Sequence, residues 1–65
     1  MLKRLAKNIR LLRREKGMSQ AQLASMIGVN KSYLSRLEDR QGNPTLHTLE
    51  KLGRALNVDL VTLLK

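Results

Sequence analysis

Cysteine, tryptophan and phenylalanine are absent from this chain of 65 residues, and tyrosine and proline occur once each. Without cysteine there is no disulfide staple and no thiolate metal site. With aromatics at 2%, a core has to be assembled from Leu, Ile, Val, Met and Ala. Acidic residues are also scarce. Only 5 Asp and Glu stand against 13 Lys and Arg, a formal charge of +8. No stretch approaches the roughly 18–20 apolar residues of a membrane span. Lys3, Arg4, Lys7, Arg10, Arg13, Arg14 and Lys16 interrupt any apolar leader segment at the start. An Arg-rich start also suits an organelle transit peptide, but here it runs straight into the rest of the pattern with no spacer. One histidine and few carboxylates leave little for acid–base catalysis, so neither catalytic residue, cofactor nor metal is expected. His47 reads as a solvated or interface residue. A single tyrosine offers little base stacking, which weighs against RNA.

The length allows one domain over residues 1–65, with a modest core. A soluble cytoplasmic protein is expected. The basic balance favours an anionic partner, either nucleic acid or an acidic membrane surface.

What is present is apolar spacing at helical period. Leu2, Leu5, Ile9 and Leu12 step by three, four and three, and so share a face over a first helix from about Leu2 to Lys16. Lys3, Lys7, Arg10 and Arg14 form a basic stripe on roughly the opposite face. Gly17 is placed to close that helix in a left-handed conformation. Ser19 and Gln22 have the spacing of a capping box, with Met18 and Leu23 set for a hydrophobic staple. Leu23, Ala24 and Ile27 then give a second, short helix a buried face, and Gly28 ends it. Asn30 is a strong N-cap for a third helix. There Leu34 and Leu37 point inward with Val29, while Lys31, Ser32, Ser35 and Arg36 point out and Tyr33 lies at the edge.

"RQGNP" is a loop, with Pro44 suited to the first turn of a fourth helix that runs to about Leu56. Leu46, Leu49, Leu52 and Leu56 mark the face of that helix. Gly53 inside it costs up to about 1 kcal/mol against Ala, and close approach of another helix would explain it. Asn57 suits the closing position, and Asp59 caps a short last helix, "LVTLL". No segment alternates with period two, so the fold class is all-α with five helices. A short helix, a tight Gly-containing turn and a second helix with a polar outer face make a helix-turn-helix.

"IRLLRREKGMSQAQLASMIGVNKSYLSRLE" followed by "NPTLHTLEKLGRALNVDLVTLL" resembles the Cro/Xre family, the lambda-repressor-like DNA-binding domains of phage repressors and their bacterial relatives. The resemblance covers almost the whole chain. It implies a compact five-helix domain in which the third helix, about 30–39, enters a major groove while the second lies across the backbone. It implies base reading by Lys31, Ser32 and Arg36, with Ser35 a weaker candidate. Arg36 is suited to a bidentate pair with guanine. Phosphate contacts are implied for Gln20, Tyr33 and Asn43, with edge packing the plainer role for Tyr33. Arg13 and Glu38 match a structural ion pair between the first and third helices. Where the family usually has Gly two residues after this Glu, the chain has Arg40. That leaves the end of the third helix open and makes Arg40 and Gln41 candidates for phosphate.

The implied partner is double-stranded DNA, a palindromic operator bound by a homodimer, with no small-molecule ligand. Val58, Leu60, Leu63 and Leu64 match inward positions of the family. Val61 falls where the family has an acidic or polar residue. Together with Thr62 and Leu64 it is a candidate dimer patch. The reading is thus a transcriptional regulator, acting as a repressor. A chain this short leaves no room for a sensor domain, and within DNA binding a restriction–modification controller or an antitoxin are alternatives. Membrane-surface binding through the first helix is the alternative from another class. It accounts for the basic amphipathic start but not for the turn and capping residues from 17 to 44.

Overall fold

A computed structural model describes the backbone of residues 2–65 and the side chains of residues 4–65. Leu2 and Lys3, which open the apolar and basic stripes, have side chains outside the described residues. The five helices are α1 (Leu2–Glu15), α2 (Gln20–Ile27), α3 (Lys31–Glu38), α4 (Leu46–Leu56) and α5 (Leu60–Leu64).

Each start after α1 is set by a side-chain cap. Ser19 Oγ accepts from the Gln22 amide at 3.0 Å, and Gln22 Oε1 accepts from the Ser19 amide at 2.7 Å. Asn30, Thr45 and Asp59 accept from the amides of Tyr33, Thr48 and Thr62. Such caps satisfy donors that the first turn leaves unpaired. Thr45 therefore opens α4, and Pro44 lies before the cap, not in the first turn as expected from its fixed φ.

The first four helices close in one way. A left-handed residue ends the last turn, and the next amide reaches back five residues: Met18 to Arg13, Val29 to Ala24, Gln41 to Arg36 and Val58 to Gly53. Gly17, Gly28 and Asn57 suit the left-handed position, with φ of 69°, 74° and 59°. Arg40 takes the same position with φ 65°. Helix α3 thus ends on schedule although a side chain stands where the family has glycine.

The core draws on every helix. Ile9, Leu23, Leu34, Leu52, Leu56 and Leu63 are fully buried. Helix α1 packs on α3, α4 and α5, α2 packs on α3 and α4, and α5 closes against α4. Truncating one such leucine to alanine costs about 2–5 kcal/mol. That is a large share of the roughly 3–10 kcal/mol expected for a domain of this size. Asn8 Nδ2 also donates to the Leu63 carbonyl at 2.9 Å, tying α5 to α1.

Two expectations for α4 change. Leu46 is 62% exposed. At 100° per residue, successive steps of three drift backwards, so Leu46 lies about 120° from Leu52 around the helix. Gly53 does make room for a close approach, but from its own chain. A Cβ there would sit 2.9 Å from the Val58 carbonyl, in the turn that closes α4. In α5 only Leu63 is fully buried, while Leu60 and Leu64, and Val58 in the turn before the helix, are half-buried.

Candidate nucleic-acid interface

Helix α3 is amphipathic in a way that serves its neighbours on one side and solvent on the other. Leu34, Leu37 and Glu38 are buried, whereas Lys31, Ser32 and Arg36 are exposed and Ser35 is half-buried. The break between α2 and α3 turns α3 outward in only a few residues. Gly28 supplies the left-handed residue there, and Ala24, only 2% exposed, leaves little bulk where α2 meets the core. Lys51 Nζ hangs above this turn, 4.0 Å from where a Cβ on Gly28 would be.

Glu38 fixes the orientation of α3. Its Oε2 accepts from Arg13 Nε at 2.8 Å and its Oε1 from Arg13 Nη2 at 3.0 Å. Arg13 Nη1 donates to the Met18 carbonyl at 2.8 Å, and Gln20 Nε2 donates to Glu38 Oε1 at 3.1 Å. Arg13 and Glu38 together therefore join α1, the loop before α2, the first turn of α2 and α3. Arg13 and Glu38 are 8% and 3% exposed. The hydrogen bonds that Arg13 donates to Glu38 hold the guanidinium above its ordinary pKa; burial opposes this and the attraction between the charges adds to it. A buried bidentate pair of this kind sets geometry more than it adds stability.

Gln20, Lys31, Ser32, Ser35 and Arg36 line one shallow depression of about 270 Å³. The four residues with implied base-reading roles thus surround a single concavity with Gln20 at its border. Among the described residues no carboxylate pairs with Lys31 or Arg36, so their donors are free for a ligand. Gln20 is half-buried and gives one amide hydrogen to Glu38. Its second amide hydrogen and its backbone N–H, in the first turn of α2, remain.

The other residues with implied phosphate roles lie elsewhere. Tyr33 is half-buried and packs against the core, outside this depression. Gln41 and Asn43 are exposed in the loop after α3, and the Gln41 amide is taken by the Arg36 carbonyl. Arg40 is grouped with α1, beside Lys7, Arg10 and Leu11. The bond from Gln20 to Glu38 and that grouping of Arg40 escape sequence reasoning, because neither has a local signal. His47 is exposed on α4, and Val61 and Thr62 are exposed on α5, Val61 by 65%. Leu64 packs partly against the core, which leaves Val61 and Thr62 as the outward residues of that patch.

A helix-turn-helix family profile, HTH_3, matches residues 9–63. The chain belongs to this family. Its members are Cro/Xre-type regulators and typically not enzymes. An uncharacterized HTH-type transcriptional regulator of Sinorhizobium fredii, y4dJ, is 43% identical over 63 residues, covering 97% of this chain and 82% of that protein. SinR, an HTH-type transcriptional regulator of Bacillus subtilis, is 44% identical over 61 residues, covering 92% of this chain and 55% of SinR. The structure of SinR, a regulator of biofilm formation, in complex with DNA matches with a TM-score of 0.86, over 94% of this chain and 98% of that one. The restriction-modification controller C.AhdI of Aeromonas hydrophila has a TM-score of 0.90 at 35% identity, over 95% of this chain and 94% of that chain. The chain spans most of y4dJ and of C.AhdI, and about half the length of SinR. None of these supports the membrane-surface alternative, and no described helix is long and apolar enough to cross a membrane.

Proposed function

We propose that this chain binds duplex DNA as a sequence-specific transcriptional repressor, with α3 in a major groove. The observation that carries this is the depression between the start of α2 and α3, where Gln20, Lys31, Ser32, Ser35 and Arg36 gather their donors on one edge of the fold. Lys31, Ser32, Ser35 and Arg36 read base edges, and the Arg36 fork takes guanine O6 and N7. Gln20 presents its free amide hydrogens to phosphate, and Tyr33, Arg40, Gln41 and Asn43 are the further backbone contacts. SinR bound to DNA and the C.AhdI controller share enough of this chain to support that reading. Repression follows if the bound site overlaps a promoter and excludes polymerase. Control of a restriction–modification operon is the second reading, favoured by the near-complete match to C.AhdI.

Selection of bound duplexes from a random pool tests the function and reports the site, its symmetry and its half-site spacing. On the selected site Arg36→Ala should cost about 1–3 kcal/mol and relax preference at one base pair. Gln20→Ala should weaken specific and non-specific DNA alike. Unchanged base preference in Arg36→Ala would show that α3 does not sit in the groove as proposed.

A further inference from the structure

A second depression lies beyond the C-terminal end of α3, and three cations line it, two from α1 and one from the turn after α3. Lys7 and Arg10 of α1, with Leu11 and Arg40, enclose about 320 Å³. Lys7 and Arg40 are exposed and Arg10 is half-buried. Among the described residues no carboxylate pairs with any of the three. Like charges gathered without a counter-ion repel one another, and a bound anion relieves that repulsion.

The backbone supplies a second observation. Arg40 holds φ at 65°, a left-handed conformation that an L side chain adopts only at a cost. The equivalent closures of α1, α2 and α4 use glycine or asparagine. Strain at a residue that brings charge to a surface cluster is a pointer to function. Here the strained residue is the one that adds a guanidinium to the basic face of α1.

The length of α3 relates the two depressions. With 8 residues at 1.5 Å each, the helix is about 12 Å long, close to the width of a major groove. When the outward face of α3 from Lys31 to Arg36 meets base edges, the turn beyond its C-terminal end reaches a strand that borders the groove, where phosphate is the available anion. We infer that Lys7, Arg10 and Arg40 form a second phosphate site, which grips the DNA backbone outside the base pairs that α3 reads. This rests on the major-groove reading above.

The test compares two duplexes that carry the same selected site. One ends at the last base pair contacted by α3, and the other is extended by half a helical turn at each end. Wild type should bind the longer duplex more tightly, and its log K against log[salt] should be steeper by about 0.9 for each added phosphate. Across a fourfold change in salt, that is roughly 3.5-fold in affinity per phosphate. The combined variant Lys7→Gln, Arg10→Gln, Arg40→Gly should bind both duplexes equally, with the base preference of wild type. Glycine at position 40 relieves the strained residue, and a thermal melt checks that the fold is kept. A control that loses as many charges, Lys16→Gln, Arg54→Gln, Lys65→Gln, lines neither depression and should still favour the longer duplex. The second site is overturned, with the major-groove reading intact, if wild type shows no length dependence, if the combined variant retains it, or if the control loses it. Failure of wild type to bind either duplex overturns both.

Discussion

Arg13 bonds to Glu38 and to the Met18 carbonyl, and through Glu38 it is linked to Gln20, so its replacement should be felt at all three places. Arg13→Met leaves Glu38 buried without its partner, the Met18 carbonyl without a donor, and Gln20 bound to an uncompensated charge. A loss of about 3–5 kcal/mol is expected in urea melts, enough to bring a domain of this size close to unfolding. Adding Glu38→Leu should recover much of that loss, because two apolar groups then replace the pair. Recovery should stop short of wild type by about 1 kcal/mol, since the Met18 carbonyl and the Gln20 amide stay unpaired. Wild-type melting in either single variant would mean that the pair is not buried. The position of Arg13 beside the apolar stripe of α1 is a local signal that it needs a partner. Nothing local to Gln20 signals that its amide is held by Glu38, 18 residues on.

Among the elements, α3 and α5 have ends that can be tested. Arg40→Gly removes a left-handed arginine, which costs about 1–2 kcal/mol, and adds the greater unfolded-state entropy of glycine, about 0.5–1 kcal/mol. The net is a stabilisation of up to about 1.5 kcal/mol, with each kcal/mol raising Tm by roughly 4–8 °C. Calorimetry checks it, and a fall in Tm would mean that the Arg40 side chain contributes more contact than strain. At α5, hydrogen bonding to the Thr62 amide and hydroxyl, with the charge of Lys65, holds the Asp59 carboxyl below its ordinary pKa. A lowered carboxyl stabilises the fold above its ordinary value, and the benefit is lost as pH falls through the lowered one. Protection of the Leu63 amide, the slowing of its exchange relative to an unstructured peptide at the same pH, should therefore fall on acidification through and below the ordinary carboxylate range. In Asp59→Asn the cap remains but this part of the pH dependence should vanish. The helices themselves are legible in the sequence. Ser19, Asn30 and Asp59 as caps, and Gly17, Gly28 and Asn57 as closures, all act through hydrogen bonds within six residues.

For the whole molecule, the open matter is how many copies meet one operator. A single helix-turn-helix touches few bases, and two-fold pairing over half-sites about 34 Å apart supplies the missing specificity. Val61, 65% exposed, and Thr62 lie outward on α5, on a surface that can meet its own copy across a two-fold axis. Wild type should therefore sediment as a dimer on a palindromic duplex, and Val61→Lys should weaken that dimer while leaving single half-site binding in place. A wild type that stays monomeric on such a duplex removes the homodimer from the proposal.

The amino-acid order alone determined the helix count, most caps and closures, and the outward set Lys31, Ser32, Ser35 and Arg36, because apolar period and capping act over one or two turns. Tertiary packing decided the rest. It left Leu46 exposed at the end of α4, turned the Val58 carbonyl onto Gly53, and tied Asn8 to the Leu63 carbonyl 55 residues away. It also set Gln20 on Glu38 and stood Arg40 beside Lys7 and Arg10. Each of these depends on which surfaces meet when five short helices share one core, and a signal confined to one helix carries no record of the face that a distant helix brings against it.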